Sequence, residues 1–152
     1  MANGTVTMEV ALKALGIGWG DEVIIPALTF AATGYAPIAA GALPIVVDVE
    51  PEAWTIDPKA VEAAITPRTK AIMPVHLYGE PADMVAIAAL ARKHGLKVVE
   101  DVAQAQGSKV RGRRAGALGD AGAHSFFPTK NIGAFGDGGA VTTDDDKLAD
   151  RL

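Results

Sequence analysis

Cysteine is missing altogether from the 152 residues. Its absence excludes disulfides and thiolate metal sites and leaves the redox compartment open. Aromatic residues are scarce, at 5%, and there is no basic excess: 14 Lys and Arg stand against 18 Asp and Glu, a formal net charge of −4. A chain that coats nucleic acid or an anionic membrane needs the opposite balance, so neither partner is expected. Long apolar runs are missing too. The most extended one, AATGYAPIAAGALPIVV, is broken by Gly34, Pro37, Gly41 and Pro44, whereas a membrane helix needs about 20 mostly apolar residues. The opening MANGTVTMEV carries no basic stretch and no continuous apolar one, so no signal peptide and a cytoplasmic location are expected. His76, His94 and His124 are too widely spaced for a metal set, and no metal is expected.

What is present describes a globular protein. Hydrophobic residues make up 49% and charged residues 21%. The length suits about one domain, able to bury roughly 68–70% of its unfolded surface. Helical and extended patterns alternate. TVTMEVALKALG reads as a helix ended by Gly16, DEVIIP as a short buried strand, and TFAATGYAPIAAG as a helix capped by Thr29 and interrupted at Pro37. LPIVVDV is a strand, and DPKAVEAAI a helix with Asp57 at the N-cap and Pro58 at the first helical position. The strand TKAIMPVH, the helix PADMVAIAALARKHG closed by Gly95, and the strand LKVVED follow. This alternation predicts an α/β fold, a mostly parallel sheet with helices on both faces. After Asp101 the rhythm changes: SKVRGRRAGALGDAG suggests a hairpin and loop, AGAHSFF and GGAVTTD two more strands, and DDDKLADRL the start of a helix.

In such a sheet, ligands gather beyond the carboxyl ends of the parallel strands. Residues 26–30, 76–79 and 100–104 fall there. Asp101 is either a cap or turn residue, or a partly desolvated carboxylate whose pKa rises unless a cation meets it. In NGTVT, Gly4 and Thr5 open a helix whose free N–H groups and dipole suit a phosphate, although Asn3 or Thr5 as a plain N-cap explains the same residues. GIGWGDE follows a helix and precedes a strand, the reverse of a dinucleotide fingerprint, and no P-loop occurs. His76 is a turn residue or a site residue. Lys109, Arg111, Arg113 and Arg114 fit a solvated hairpin better than a nucleic-acid patch. Lys130 is the oddest cation, set in SFFPTKNIGAFGDGGA. A free lysine, with a pKa of about 10.4, is a poor nucleophile at neutral pH. Held among apolar residues and glycines beside a phosphate-bearing aldehyde, it can form a Schiff base. Pyridoxal 5′-phosphate is such an aldehyde; its phosphate suits a helix N-terminus at Thr5 and its ring nitrogen a carboxylate at Asp101.

These residues lie in stretches that resemble the DegT/DnrJ/StrS family of pyridoxal-phosphate sugar aminotransferases: NGTVTMEVALKALGIGWGDEVIIPALTFAAT, VVDVEPEAWTIDPKAVEAAITPRTKAIMPVHLYGEPADM, VVEDVAQAQGS and SFFPTKNIGAFGDGGAVTTDD. The resemblance runs nearly end to end. It implies the aspartate-aminotransferase fold (fold type I), a homodimer with shared active sites, and amino transfer from a donor such as glutamate to a keto group on a nucleotide-linked sugar. Lys130 resembles the lysine that bonds to the cofactor and shuttles the proton. Asp101 resembles the partner of the ring nitrogen, and Gln104 the group at the ring's 3′-oxygen. Gly4, Thr5, the backbone of Val6, and Ser125 match the phosphate cradle, and Phe30 the aromatic stacked on the ring. Relatives that dehydrate instead carry histidine in place of the lysine, so Lys130 implies transfer. Gln106 departs from the family, where many members have histidine. Family members are also more than twice as long, so residues 1–152 are expected to be the cofactor-binding large-domain core, without the preceding segment and the small C-terminal domain. The alternatives are a truncated, non-catalytic module that binds the cofactor or only self-associates, and a plain phosphate- or nucleotide-binding domain.

Overall fold

The computed structural model describes residues 1–152. Helix α1 (Gly4–Ala14) leads into β1 (Glu22–Pro26), α2 (Ala32–Ala40), β2 (Leu43–Val47), α3 (Pro58–Ala64), β3 (Thr69–Ile72), α4 (Met84–His94) and β4 (Lys97–Asp101). A hairpin of β5 (Lys109–Val110) and β6 (Arg113–Arg114) follows, then β7 (Ala121–Ser125), β8 (Gly139–Thr142) and α5 (Asp146–Ala149).

Local chemistry sets most boundaries. Asp57 accepts the Lys59 N–H with Pro58 just inside α3, and Asp83 accepts from Val85 and Ala86 at the start of α4. Gly95, at φ 68°, stops α4 in a left-handed turn after three basic residues. Helix α2 departs from expectation twice. Its N-cap position is Ala31, without a side-chain bond, while Thr29 lies two residues before it with its hydroxyl 2.7 Å from that of Thr33. Pro37 does not interrupt it. The proline removes one backbone bond, but Ala36, Pro37 and Ala40 are buried, and tertiary packing carries the helix on to Ala40.

The main sheet runs β2-β1-β3-β4-β7-β8, parallel throughout except for the antiparallel edge strand β8. Because side chains alternate along a strand, the sheet divides two cores. Val23, Ile25, Met73 and Val99 face Met8, Leu12 and Ala36 of α1 and α2; Ile24, Ile72 and Val98 face Val61, Met84 and Ile87 of α3 and α4. The expected mostly parallel sheet covered on both faces is therefore present. No helix is long and apolar enough to cross a membrane. Strand order reverses between β1 and β3, and the crevice beyond their carboxyl ends is where such sheets place ligands.

Candidate active site

A cavity of about 430 Å³ opens at that edge. It is walled by the start of α1, the turn after β1, the end of β4, and the loop between β7 and β8. Gly4, Thr5, Phe30, Asp101, Gln104, Ser125 and Lys130 all line it. Val6 does not: its N–H donates to Asn3 Oδ1 at 3.0 Å, so Asn3 is the N-cap of α1. Thr7 N–H is taken by the Asn3 carbonyl, which leaves the Gly4 and Thr5 N–H groups as the helix donors without a protein acceptor. Gly4 is needed for a reason the sequence reading did not contain. A Cβ there would stand 2.7 Å from Ser125 Cβ, so the helix end is pressed directly against β7.

Asp101 is buried at the end of β4. Its Oδ2 accepts the Thr33 hydroxyl at 2.9 Å and its Oδ1 the Ala103 N–H at 3.1 Å. Burial pushes its pKa above the usual carboxylate value; the two hydrogen bonds and the Lys130 charge only partly offset that. A carboxyl group in this state gains from a cationic N–H partner. Thr33 spends its proton on Asp101, so Thr29 donates to Thr33, giving a relay Thr29–Thr33–Asp101. Sequence reasoning missed Thr33; its spacing of four from Thr29 in TFAAT, one helical turn, was the available signal.

Gln104 Oε1 accepts the Tyr78 N–H at 2.8 Å. That contact settles the amide orientation and leaves the NH₂ group to donate into the cavity. Phe30 is 72% exposed at the rim, an aromatic face with no packing role in the core. Lys130 is half-buried in the loop 126–138, which is tied down by Phe126 N–H to Gly138 O and by Ala134 N–H to Phe126 O, both at 2.8 Å. Its ammonium group enters no ion pair. Gln106 lies behind the wall, its Nε2 donating to Ser125 O at 2.7 Å and its buried Oε1 without a partner.

The remaining candidates resolve as structure. His76 is fully buried against Glu100. His94 ends α4, and His124 meets the Thr142 hydroxyl at 3.1 Å while burial lowers its pKa. The basic cluster forms the expected exposed hairpin, with Arg111 and Gly112 both at positive φ in its turn.

A model of the DegT/DnrJ/EryC1/StrS aminotransferase family matches residues 1–152. The chain belongs to that family. Among family relatives, a UDP-N-acetyl-3-dehydro-alpha-D-glucosamine 3-aminotransferase of Acidithiobacillus ferrooxidans is 56% identical over 99% of this chain and 41% of its own length. DesV of S. venezuelae, solved in complex with a ketimine intermediate, superposes with a TM-score of 0.96 at 54% identity, over 99% of this chain and 40% of that one. NtdA of Bacillus subtilis, solved with bound cofactor PMP, gives 0.92 at 45% identity, over 99% and 34%. The chain thus spans about 40% of the length of the curated relatives it matches. Its fold is that of the fold-type-I pyridoxal-phosphate transferases, and aminotransferases of this family use pyridoxal phosphate.

The donor set fits that cofactor. Two helix N-terminal N–H groups and two hydroxyls suit the phosphate, a buried carboxyl of raised pKa suits the ring nitrogen, a carboxamide NH₂ suits an anionic ring oxygen, and a lysine is within the same cavity.

Proposed function

We propose that residues 1–152 are the cofactor-binding core of a pyridoxal-phosphate aminotransferase acting on a nucleotide-linked keto sugar, with glutamate as amino donor. One observation carries the reading: Lys130, Asp101 and the free N-terminus of α1 converge on a single cavity from three distant parts of the chain. The Gly4 and Thr5 N–H groups with the Thr5 and Ser125 hydroxyls hold the phosphate. Asp101 accepts the ring N–H and, by staying anionic against it, keeps that proton in place. The Gln104 NH₂ group donates to the ring oxygen, and Phe30 covers the ring face. Once bound, pyridoxal phosphate supplies an electron sink for the pair left behind when a substrate C–H bond is broken. Lys130 Nζ is the amine that would hold the cofactor by its aldehyde carbon; displaced from that carbon by the amine of the donor, the free Nζ would be placed to take the substrate proton and to return it.

A homodimer is part of this proposal. Ile132 and Phe135, in the loop between β7 and β8, leave apolar side chains exposed at 60% and 114%, and a second copy is the partner that covers them. A cytoplasmic location goes with a nucleotide-linked substrate. The test is to mix the purified chain with pyridoxal phosphate, reduce with borohydride and map the adduct by peptide mass. An adduct confined to Lys130 is expected; none, or one scattered over several lysines, removes the reading. Turnover of a keto sugar by the same preparation would exclude a module that binds cofactor without catalysing.

A further inference from the structure

On the face of β4 away from Asp101, Glu100 and His76 form a pair with no exposed side-chain surface. Neither lines the cavity. Glu100 Oε2 accepts from His76 Nε2 at 2.9 Å and from Gly116 N–H at 2.8 Å, while Oε1 accepts the Leu118 and Gly119 N–H groups at 2.7 Å. His76 Nδ1 accepts the Ala82 N–H at 3.2 Å, so the ring proton sits on Nε2 and is donated to Glu100. A buried polar network satisfied in this way is rigid.

The segment that His76 begins runs from there to the cavity. Asp101 N–H donates to Pro74 O at 2.9 Å and His76 N–H to Asp101 O at 3.1 Å, which straps the segment to β4. Two residues on, Tyr78 holds φ 54° and ψ 21°, a left-handed conformation that a residue with a side chain keeps only when its surroundings impose it. That conformation aims the Tyr78 N–H at Gln104 Oε1. The chain of contacts is therefore Glu100, His76, the turn Leu77–Gly79, and the Gln104 carboxamide.

We propose that His76, gripped by Glu100, is a positioning residue for Gln104: it fixes the Tyr78 turn, and through it the direction in which the Gln104 NH₂ group faces the cofactor. The proposal rests on the cofactor site described above and adds a layer behind it. His76→Asn keeps an acceptor for Ala82 but cannot reach Glu100, whereas His76→Gln keeps that reach. Two readouts are needed, the hydrogen exchange of the Tyr78 amide in the cofactor-free chain and the affinity for pyridoxal phosphate by absorbance titration. In His76→Asn, Tyr78 should exchange roughly tenfold faster while the Ile72 amide in β3 is unchanged, and cofactor affinity should fall roughly tenfold, the scale of one charge-assisted hydrogen bond. His76→Gln should stay near wild type in both. In a Gln104→Ala background the Asn substitution should cost little further affinity, because the contact it acts through is already gone.

Unchanged Tyr78 exchange in His76→Asn, or losses that simply add in the double variant, would overturn the proposal. If His76→Asn does not fold, Glu100→Gln, which replaces one acceptor oxygen with an NH₂ group, carries the same expectations. Failure of the wild-type chain to take up pyridoxal phosphate would instead strike the cofactor reading itself, and the exchange arm would still decide whether His76 holds the Tyr78–Gln104 contact.

Discussion

On one face of β4, Glu100 collects four donors; on the other, Asp101 collects two and opens onto a cavity. The two are adjacent in sequence and both are carboxylates removed from water. Burial alone would raise the pKa of each. At Glu100, hydrogen bonds from His76, Gly116 and Gly119 outweigh burial and hold the value below normal. At Asp101 burial wins and the value is raised. The difference is one of saturation. A carboxylate that the protein has fully satisfied holds loops together, while one left short of donors keeps an appetite for a ligand.

The strongest challenge to this contrast is Glu100→Ala. It strands His76 and three backbone N–H groups at once, and the chain should lose about 3–5 kcal/mol in urea unfolding. A loss under about 1 kcal/mol would mean that the latch is ornamental. Lys130→Ala addresses the open face. It should abolish borohydride-stable attachment of pyridoxal phosphate, with stability changed by less than about 0.5 kcal/mol. Asp101→Asn should raise the stability of the cofactor-free chain near neutral pH by about 1 kcal/mol, or ~2–4 °C in Tm, since it removes a charge that burial disfavours. Its pH dependence gives the sign. Asp101, with its raised pKa, binds its proton more tightly folded than unfolded, so its contribution declines as pH rises from the ordinary carboxylate range through the folded value. Glu100 behaves oppositely, contributing above the ordinary value near 4.5 and losing that contribution as pH falls through its lowered folded value. Thermal melts across acid pH should therefore show Asp101→Asn removing a downward slope that Glu100→Gln leaves in place. The smallest expected change in stability is from Phe30→Ala: near zero in the melt, because the ring is mostly exposed, but with weaker cofactor retention on dialysis.

The elements legible in the sequence are those whose signals are local. Asp57–Pro58, Asp83 with Gly95, and the Arg111–Gly112 turn each carry their instruction within a few residues, and each element forms where expected. Strand alternation likewise separates Glu100 from Asp101, but alternation cannot say what either side chain will meet. His76 acquires its partner from a strand 24 residues later, and Thr33 acquires Asp101 across 68. Those distances are why the latch and the hydroxyl relay escaped notice. Pro37 misled for the converse reason: its local signal was real, and burial against the sheet overruled it. At Val6 the competition was closer still, since Asn3 takes the same N–H that a phosphate would.

The contact between Gly4 and Ser125 constrains how such a site can diversify. With Ser125 Cβ only 2.7 Å from where a side chain at position 4 would begin, that position accepts one residue type. In a mutational library over the anion cradle, position 4 should return glycine alone for as long as residue 125 carries a Cβ, and positions 5 and 125 should favour hydroxyl side chains. Lineages recruiting this pocket for new substrates would have to vary around a hinge-free joint between α1 and β7, changing what stands above it and leaving the joint itself alone.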